Sequence, residues 1–412
     1  MLATQEIDLT NFNGKVNLLS KEFINNKFAY YTWLRENDPV HRGRLSVIPL
    51  TFLTRYEDCV NILKDRRIMR NRTNAMGRGG RFPFPLPRSV QALMASMINE
   101  DDPEHRRLRT LVHKAFTPRH LAYLDARIEA LTHELLDKAE AKGEIDLMQE
   151  YALPIPVTVI AEMVGVAPEE VPEFTGYITA LTSGFSGFSL FRTFTWDLPK
   201  AIKFCKQLIE RKRKNPDEDI LTALIQAEED GDQLTEDELI AMVFLIIVAG
   251  YETTVHLITN GVYTLLTHPH ELQRLRENPG LMESAVEEIN RFNGPIQATK
   301  LGYPNEDIEI QGVPIKRGTS IMPLLGAANH DPTFFENPEV FDIGRTPNRH
   351  LGFGQGIHYC LGAPLARIET RIALKNLLER NPNLRLAVDP NELKLQMIPG
   401  WHRYQTMPVK LK

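Results

Sequence analysis

The first residues whose types and spacing suggest chemistry are a cysteine and two histidines in a glycine-rich turn. His350 and His358 lie in the turn, and Cys360 follows just before a segment whose apolar residues recur at helical spacing. A sulfur at a helix N-terminus faces unpaired N–H groups and the positive end of the helix dipole, which favour the thiolate. Cys360 is therefore a candidate anionic metal ligand. A buried structural thiol is the simpler alternative for a lone cysteine, and a zinc site with the two histidines is a third, although no C-x-x-C pair accompanies them.

A second group of polar residues interrupts an apolar helical run. The run from 242 to 248 is apolar on every side, which predicts burial on all faces. Glu252 and Thr253 follow directly, and burying such groups without partners costs about 1–3 kcal/mol each. Gly250 weakens the helix, and the Thr253 hydroxyl can bond the carbonyl of Ala249. This turn is either a structural kink or a binding site for a small molecule.

Two further pairs combine charge with helical spacing. Glu288 and Arg291 are three residues apart, and His105 and Arg109 are four apart, so each pair shares one helix face. Taken alone, the first pair reads as a surface ion pair and the second as part of a solvated basic helix.

Helices must position most of these groups. The longest predicted helix begins at Thr235, where the sequence has capping-box form, and ends near Thr267, ahead of Pro269. Its apolar centre is shorter than the roughly 20 residues that span a membrane, which favours a central core helix. Two short strands at 308–310 and 313–315, separated by Gln311 and Gly312, predict a hairpin. The predicted fold class is mainly α with a minor β part.

Composition limits the classes of protein that fit. The 412 residues contain no evident linker or repeat, which predicts a single domain over 1–412. A net charge of −5 argues against a general nucleic-acid-binding surface. Three widely spaced cysteines fit a reducing cytosol. The N-terminus has no signal-peptide pattern and no anchor helix, so we expect a cytoplasmic protein without a membrane anchor.

The pattern Phe353-x-x-Gly356-x-His358-x-Cys360-x-Gly362 resembles the haem-binding signature of the cytochrome P-450 family. The resemblance implies one haem b per chain with Cys360 as the proximal thiolate ligand. It also implies the fold of that family, in which a long central helix crosses over the haem and the cysteine-ligand loop lies on the proximal side. Composition and spacing alone suggest a thiolate site, but not haem.

Three other motifs match the same family in order along the chain. Ala249 to Thr253 matches its oxygen-activation motif, which implies that Glu252 relays protons and that Thr253 holds the oxygen species and its water. Glu288 and Arg291 match its Glu-x-x-Arg motif, with Arg345 as the third member of a network that braces the cysteine loop. His105 and Arg109 match its His-x-x-x-Arg pair, which implies that they hold the haem propionates. By resemblance the cofactor is contacted by His105, Arg109, Ala249, Lys300, His350, Phe353, Gly354, His358, Cys360 and Gly362.

The chain departs from the family at one of these positions. Most bacterial relatives carry an arginine just before a strand that here begins near Ile308, and the segment 299–308 contains none. Lys300 can replace it with a single ammonium, which lacks the two-pronged guanidinium. The resulting hypothesis is that the haem propionate which this arginine would bind is held less firmly here, unless Lys300 reaches it.

The implied activity is insertion of one atom of O2 into an apolar substrate by hydroxylation or epoxidation. Electrons would come from a separate ferredoxin or flavodoxin that docks near Lys114, Arg119 and Arg349, because no flavin or nicotinamide fingerprint is present. A monomer is expected. A peroxide-using peroxygenase and a non-enzymatic haem sensor are the alternatives, and the retained Glu252 and Thr253 count against both. The predicted substrate pocket comprises Phe82, Phe84, Leu245, Ala249, Ile296, Gln297 and Trp401.

Overall fold

The computed structural model of the chain describes residues 7, 9, 12, 14–77, 96–115, 124–183, 196–229 and 232–412. Within these ranges helices predominate and strands are short, as the sequence predicts. The helices are α1 Lys21–Asn37, α2 Tyr56–Lys64, α3 Arg72–Met76, α4 Glu104–Ala115, α5 Leu124–Lys142, α6 Pro154–Met163, α7 Val171–Ser183, α8 Leu198–Lys214, α9 Ile220–Gln226, α10 Glu236–Thr267, α11 Pro269–Glu277, α12 Met282–Asn293, α13 Leu325–Ala328 and α14 Ala363–Arg380. The strands are β1 Val40–Leu45, β2 Ile48–Leu53, β3 Ile68–Met69, β4 Glu144–Asp146, β5 Glu228–Glu229, β6 Asp232–Gln233, β7 Tyr303–Pro304, β8 Ile308–Ile310, β9 Val313–Ile315, β10 Ile321–Pro323, β11 Arg385–Leu386 and β12 Pro408–Lys410.

Internal contacts divide the chain into two compact units. The first comprises Met1–Gly80, Thr132–Ala152 and Thr253–Lys412, and the second comprises Arg81–Leu131 and Leu153–Glu252. Helices α5 and α10 contribute to both, because the boundaries fall within them. The single domain over 1–412 stays a prediction.

The first unit contains most of the sheet structure and the cysteine loop. Strand β2 pairs antiparallel with β1 and parallel with β10. Strands β8 and β9 form the predicted hairpin, whose turn residues Gln311 and Gly312 have φ of 51° and 76°. Glycine adopts this left-handed conformation without strain. A buried cluster joins Leu53 of β2, Ile321 of β10 and Leu351, so the start of the cysteine loop is anchored on the sheet.

Helix α10 confirms the predicted long helix and its start. The Thr235 hydroxyl accepts from the backbone N–H of Glu238 at 3.3 Å, and the Glu238 carboxylate accepts from the N–H of Thr235 at 2.7 Å. These are the two bonds of a capping box. Among the described residues α10 is the one helix long and apolar enough to span a membrane, but 61% of its most apolar stretch is buried inside the protein.

The prediction that the centre of α10 is buried on all faces is wrong for one face. Met242, Val243, Ile246 and Ile247 are buried, whereas a neighbouring stripe is half-buried or exposed. That stripe follows the helical period and comprises Phe244, Leu245, Val248, Ala249, Glu252 and Thr253. The apolar run is therefore fully buried on one side and only partly buried on the other.

Candidate functional site

The loop before α14 holds Cys360 in a fixed, exposed position. Its backbone N–H donates to the carbonyl of Phe353 at 2.9 Å, which closes the loop on itself. Gly354 and Gly356 have φ of 70° and 75°, a conformation that residues with a Cβ rarely adopt. Helix α14 begins at Ala363 rather than directly after the cysteine, so two turn residues separate Cys360 from the helix.

Two glycines of this loop also serve close packing. A Cβ at Gly356 would lie 2.3 Å from the carbonyl oxygen of Leu63 at the end of α2. A Cβ at Gly352 would lie 2.5 Å from the amide oxygen of Asn290 on α12. A Cβ at Gly362, in contrast, would meet nothing within 4 Å. The loop is thus packed against α2 and α12, whereas Cys360 is exposed.

The structure brings together the three predicted bracing residues. The Glu288 carboxylate accepts two hydrogen bonds from Arg291 at 2.8 Å and bonds from Nε of Arg345 at 3.1 and 3.2 Å. The Glu288 and Arg291 side chains are both 0% exposed, so the surface-pair alternative is wrong. Arg291 also donates to the carbonyls of Asn329 and Pro338. The network ties α12 to the segment that leads into the cysteine loop.

His350 bonds to protein groups through both ring nitrogens, and its contact with the cofactor stays a prediction. Its Nε2 lies 3.1 Å from the Glu287 carboxylate, and its Nδ1 accepts from the backbone N–H of Gly352 at 3.0 Å. Both ring nitrogens are therefore committed to protein groups, which also excludes His350 as a zinc ligand in this arrangement. Arg367 of α14 donates to both oxygens of Glu287 at 2.6 and 2.9 Å and lies 4.5 Å from the centre of the Phe353 ring.

The triad of Glu287, His350 and Arg367 was missed in the sequence, although Glu287 directly precedes the Glu-x-x-Arg motif. Hydrogen bonds from Arg367 and His350 hold the pKa of Glu287 at about 2, against the opposing effect of its burial. Glu287 is thus an anion at neutral pH that fixes the orientation of His350. Within the described residues no group of three or more metal-ligating side chains is found.

His105 and Arg109 lie in the second unit, on α4. The His105 side chain is 2% exposed and its Nδ1 lies 3.6 Å from the Asp102 carboxylate. Burial, and then the nearby Arg109 charge, lower the pKa of His105. The imidazole is therefore neutral at pH 7 and can donate one hydrogen bond. The solvated-helix alternative does not hold for His105.

Gly250 of the predicted oxygen motif has a packing role in the same unit. A Cβ there would lie 2.7 Å from Cδ1 of Ile160, so α10 and α6 approach each other closely at this point. Glu252 and Thr253 are half-buried. The predicted hydroxyl bond from Thr253 to Ala249 stays a prediction.

Of the predicted pocket residues, the structure brings Ile296 and Trp401 together as an isolated antiparallel bridge. Gln297 is 3% exposed, donates to the carbonyl of Gly294 and packs against Gly326, and its place in the substrate pocket stays a prediction. Phe82 and Phe84 lie outside the described residues.

Comparisons with known proteins agree along nearly the whole chain. The family model described as "Cytochrome P450" matches residues 12–392. The chain is 39% identical to the polyketide biosynthesis cytochrome P450 PksS of Bacillus subtilis over 95% of its length and 97% of that protein. The solved structure of PksS aligns with a TM-score of 0.90 at 38% identity, over 96% of this chain and all of that one.

Two other similar structures were solved with lipid ligands. P450BioI, in complex with an acyl carrier protein ligated to hexadec-9Z-enoic acid, aligns with a TM-score of 0.85 at 37% identity over 95% of this chain and 100% of that chain. Myxobacterial CYP267B1, in complex with myristic acid, aligns with a TM-score of 0.89 at 36% identity over 96% of this chain and 98% of that chain.

Proposed function

The chain belongs to the cytochrome P450 family and is a monooxygenase, and from that premise we propose that it hydroxylates or epoxidises an apolar acyl chain. The observation that carries the proposal is the braced loop that presents an exposed Cys360. Haem b is the proposed cofactor, held by the Cys360 thiolate. When bound, it supplies the redox-active iron at which dioxygen is reduced, and the thiolate favours cleavage of the O–O bond.

The chain's polar residues fit the cofactor's carboxylates. His105 is buried and neutral, so it can donate one hydrogen bond, and Arg109 adds a charge-assisted donor from the same helix face. His358 lies in the turn that precedes Cys360 and is the proposed third donor. These roles require only hydrogen-bond donation, which both histidines can provide without being charged.

Glu252 and Thr253 are the proposed proton-handling residues. They follow Ala249 on the partly buried stripe of α10, and both side chains are half-buried. A hydroxyl both donates and accepts, so Thr253 can hold a water molecule while Glu252 exchanges protons with solvent. Leu245 and Ala249 add apolar surface to the same stripe.

An acyl chain is the proposed substrate class. The half-buried residues Leu245, Ile296 and Trp401 offer apolar contacts. The relatives described above include one named for polyketide biosynthesis and two solved with fatty acyl ligands. A free fatty acid and a carrier-bound acyl group share this apolar chain, and the binding experiment below separates them.

A ferredoxin or flavodoxin is the proposed electron donor, and the cytoplasm the proposed location. Lys114 and Arg349 are exposed, and exposed cations attract an acidic protein and speed association at low salt. Arg119 lies outside the described residues. The rate of reduction by an acidic ferredoxin should fall as the salt concentration rises. At low salt, Lys114→Glu or Arg349→Glu should reduce this rate below that of the wild type.

The first test addresses the thiolate. The reduced protein under carbon monoxide should give the absorption spectrum of a haem–thiolate complex, and Cys360→Ser should abolish that spectrum. Cys205→Ala is the matched control, because Cys205 is a buried cysteine of α8. A thiolate spectrum that survives in Cys360→Ser would overturn the ligand assignment.

The second test addresses the substrate. Free fatty acids of graded chain length, the corresponding alcohols, and an acyl group on a carrier protein are titrated by the spectral change that accompanies substrate entry. Turnover under isotopically labelled O2 should place one labelled oxygen in the product. Thr253→Ala should divert electrons to peroxide. Unchanged product per electron in that variant would contradict the role of Thr253.

A further inference from the structure

Arg70 follows β3 and lies opposite Gly302, within the segment 299–308 that lacks the expected arginine. The antiparallel register of β3 and β7 pairs Ile68 with Pro304 and Met69 with Tyr303. Extending the register by one residue sets Arg70 opposite Gly302. Side chains directly opposite each other in an antiparallel pair lie on the same face, with Cβ atoms about 4.5–5.5 Å apart. An arginine at 70 can therefore reach the place that one at 302 would occupy.

The contacts of Arg70 agree with this register. Its Nη1 donates to the carbonyl of Leu301 at 3.2 Å and also to that of Lys300. A Cβ built at Gly302 would lie 4.0 Å from the same Nη1, but only 2.5 Å from Cγ2 of Ile68. A side chain at 302 would therefore displace Ile68. The guanidinium beside Gly302 belongs to Arg70, which directly follows β3 and lies more than 200 residues earlier in the chain.

The charges at this edge favour an anion. Burial of the Lys300 ammonium, and after it the nearby Arg70 charge, lower the pKa of Lys300 to about 8, although the residue as a whole is exposed. Two adjacent cations repel each other, and a carboxylate between them would relieve that repulsion. A guanidinium matches a carboxylate in shape and an ammonium adds a third donor.

The segment that carries Arg70 also packs against the cysteine loop. Leu63 contacts Gly356 closely, as described above, and the Tyr56 hydroxyl donates to the carbonyl of Arg349 at 2.6 Å. Residues 56–70 therefore run from the cysteine loop to the edge of β7. This continuity favours a carboxylate that belongs to the cofactor rather than to a distant ligand.

We propose that Arg70, together with Lys300, binds a carboxylate, and that this carboxylate is a haem propionate. The inference rests on the proposed haem cofactor and revises the expectation that Lys300 alone replaces the missing arginine. A carboxylate of the substrate has the same chemistry, so the experiment must separate the two sources.

The experiment measures how fast the holoprotein loses haem to an excess of apomyoglobin. Arg70→Ala should lose haem about tenfold faster than the wild type, as expected for loss of one charge-assisted hydrogen bond. Arg70→Gln keeps an amide donor for the Leu301 carbonyl but removes the charge, so it should lose haem faster while unfolding at a similar temperature. Arg67→Ala is the matched control, because Arg67 lies on the same segment but pairs with Asp65 and Glu306.

Reconstitution with haem dimethyl ester identifies the source of the carboxylate. Both propionates are neutral in the ester, so the wild type and Arg70→Gln should then lose the cofactor at equal rates. Equal rates with ordinary haem would overturn the proposal, and so would an unchanged difference with the ester. Arg70→Gln could instead bind hexadecanoic acid more weakly, bind hexadecan-1-ol normally and lose haem at the wild-type rate. That result would overturn the proposal and assign the carboxylate to the substrate.

The carbon monoxide spectrum of each haem-loaded variant keeps this test separate from the proposed function. A thiolate spectrum in Arg70→Gln shows that the Cys360 site is intact, whatever the rate of haem loss. Absence of that spectrum from the wild type would instead contradict the haem–thiolate site itself.

Discussion

Two glutamates, Glu288 on α12 and Glu369 on α14, are equally buried but differ in what surrounds their carboxyl groups. Both are 0% exposed. Glu288 accepts hydrogen bonds from two arginines, from Asn348 and from the backbone N–H of Asp342. Among the described residues no cation balances the burial of Glu369, which raises its pKa to about 8 against a smaller lowering by the Thr254 hydroxyl. One carboxyl group is enclosed by cations, and the other stays protonated at pH 7.

The difference shows two ways in which a fold can bury the same side chain. A carboxylate that is bonded to several cations fixes the positions of the segments that supply those cations. Moving one of these segments away would leave a buried charge without its partner, which is strongly destabilising. A protonated carboxyl needs no cation, but its burial makes stability depend on pH. The first solution lies beside the cysteine loop, where position matters most.

The largest expected effect comes from breaking the network. Glu288→Gln leaves Arg291 buried with its charge unbalanced, which typically costs about 3–5 kcal/mol. This is a large part of the free energy of unfolding of a typical protein. We expect poor haem incorporation and a thermal midpoint lowered by many degrees. Glu283→Gln, at an exposed position of the same helix, is the control and should change neither. A loss below about 1 kcal/mol in Glu288→Gln would mean that the arginines find other anions.

Glu369→Gln should remove a pH dependence instead. The pKa of Glu369 rises from 4.5 to about 8 on folding, so between these values the folded protein keeps a proton that the unfolded chain releases. Wild-type stability therefore falls as pH rises through this window, by at most about 1.4 kcal/mol per unit. Denaturant unfolding should show that the stability of the variant relative to the wild type is higher at pH 8 than at pH 5. Glu379→Gln, exposed on α14, should show no such gain.

Lys27 on α1 is a second buried titratable group, and it should make stability depend on pH in the opposite direction. It is 3% exposed, its Nζ lies 2.7 Å from Nδ1 of His402, and burial lowers its pKa from 10.5 to about 7. Between pH 7 and 10.5 the unfolded chain holds a proton that the folded protein lacks, so wild-type stability rises with pH. Lys27→Met should flatten that rise, whereas Lys21→Met, exposed on the same helix, should not. An unchanged slope in Lys27→Met would contradict the lowered pKa.

The smallest expected effect concerns Glu287, whose side chain is 26% exposed. Glu287→Gln should destabilise the protein by about 1–2 kcal/mol, because charge-assisted bonds to Arg367 and His350 become weaker. The pKa of Glu287 falls from 4.5 to about 2 on folding, so this stabilisation is complete above pH 4.5 and disappears as pH falls toward 2. Unfolding curves of wild type and variant should converge in that range. A constant difference would contradict the charge-based role.

Local spacing explains why much of this site could be predicted. The capping box at Thr235, the hairpin turn at Gln311 and Gly312, and the pairing of Glu288 with Arg291 all depend on residues within four positions of each other. Helix and turn geometry bring such residues together wherever the elements lie. The partly buried face of α10 and the inward side chain of Gln297 could not be predicted, because they depend on which neighbours cover each face.

The sequence by itself determined the family, the cysteine that serves as the candidate ligand and the order of its four motifs, because each is a short pattern whose geometry is local. Only the tertiary structure decided which charges meet across long separations. His350 pairs with Glu287 and Arg70 lies opposite Gly302, although each pair is far apart in the chain. Strand register and helix packing fix these meetings, and neither can be read from spacing along the chain.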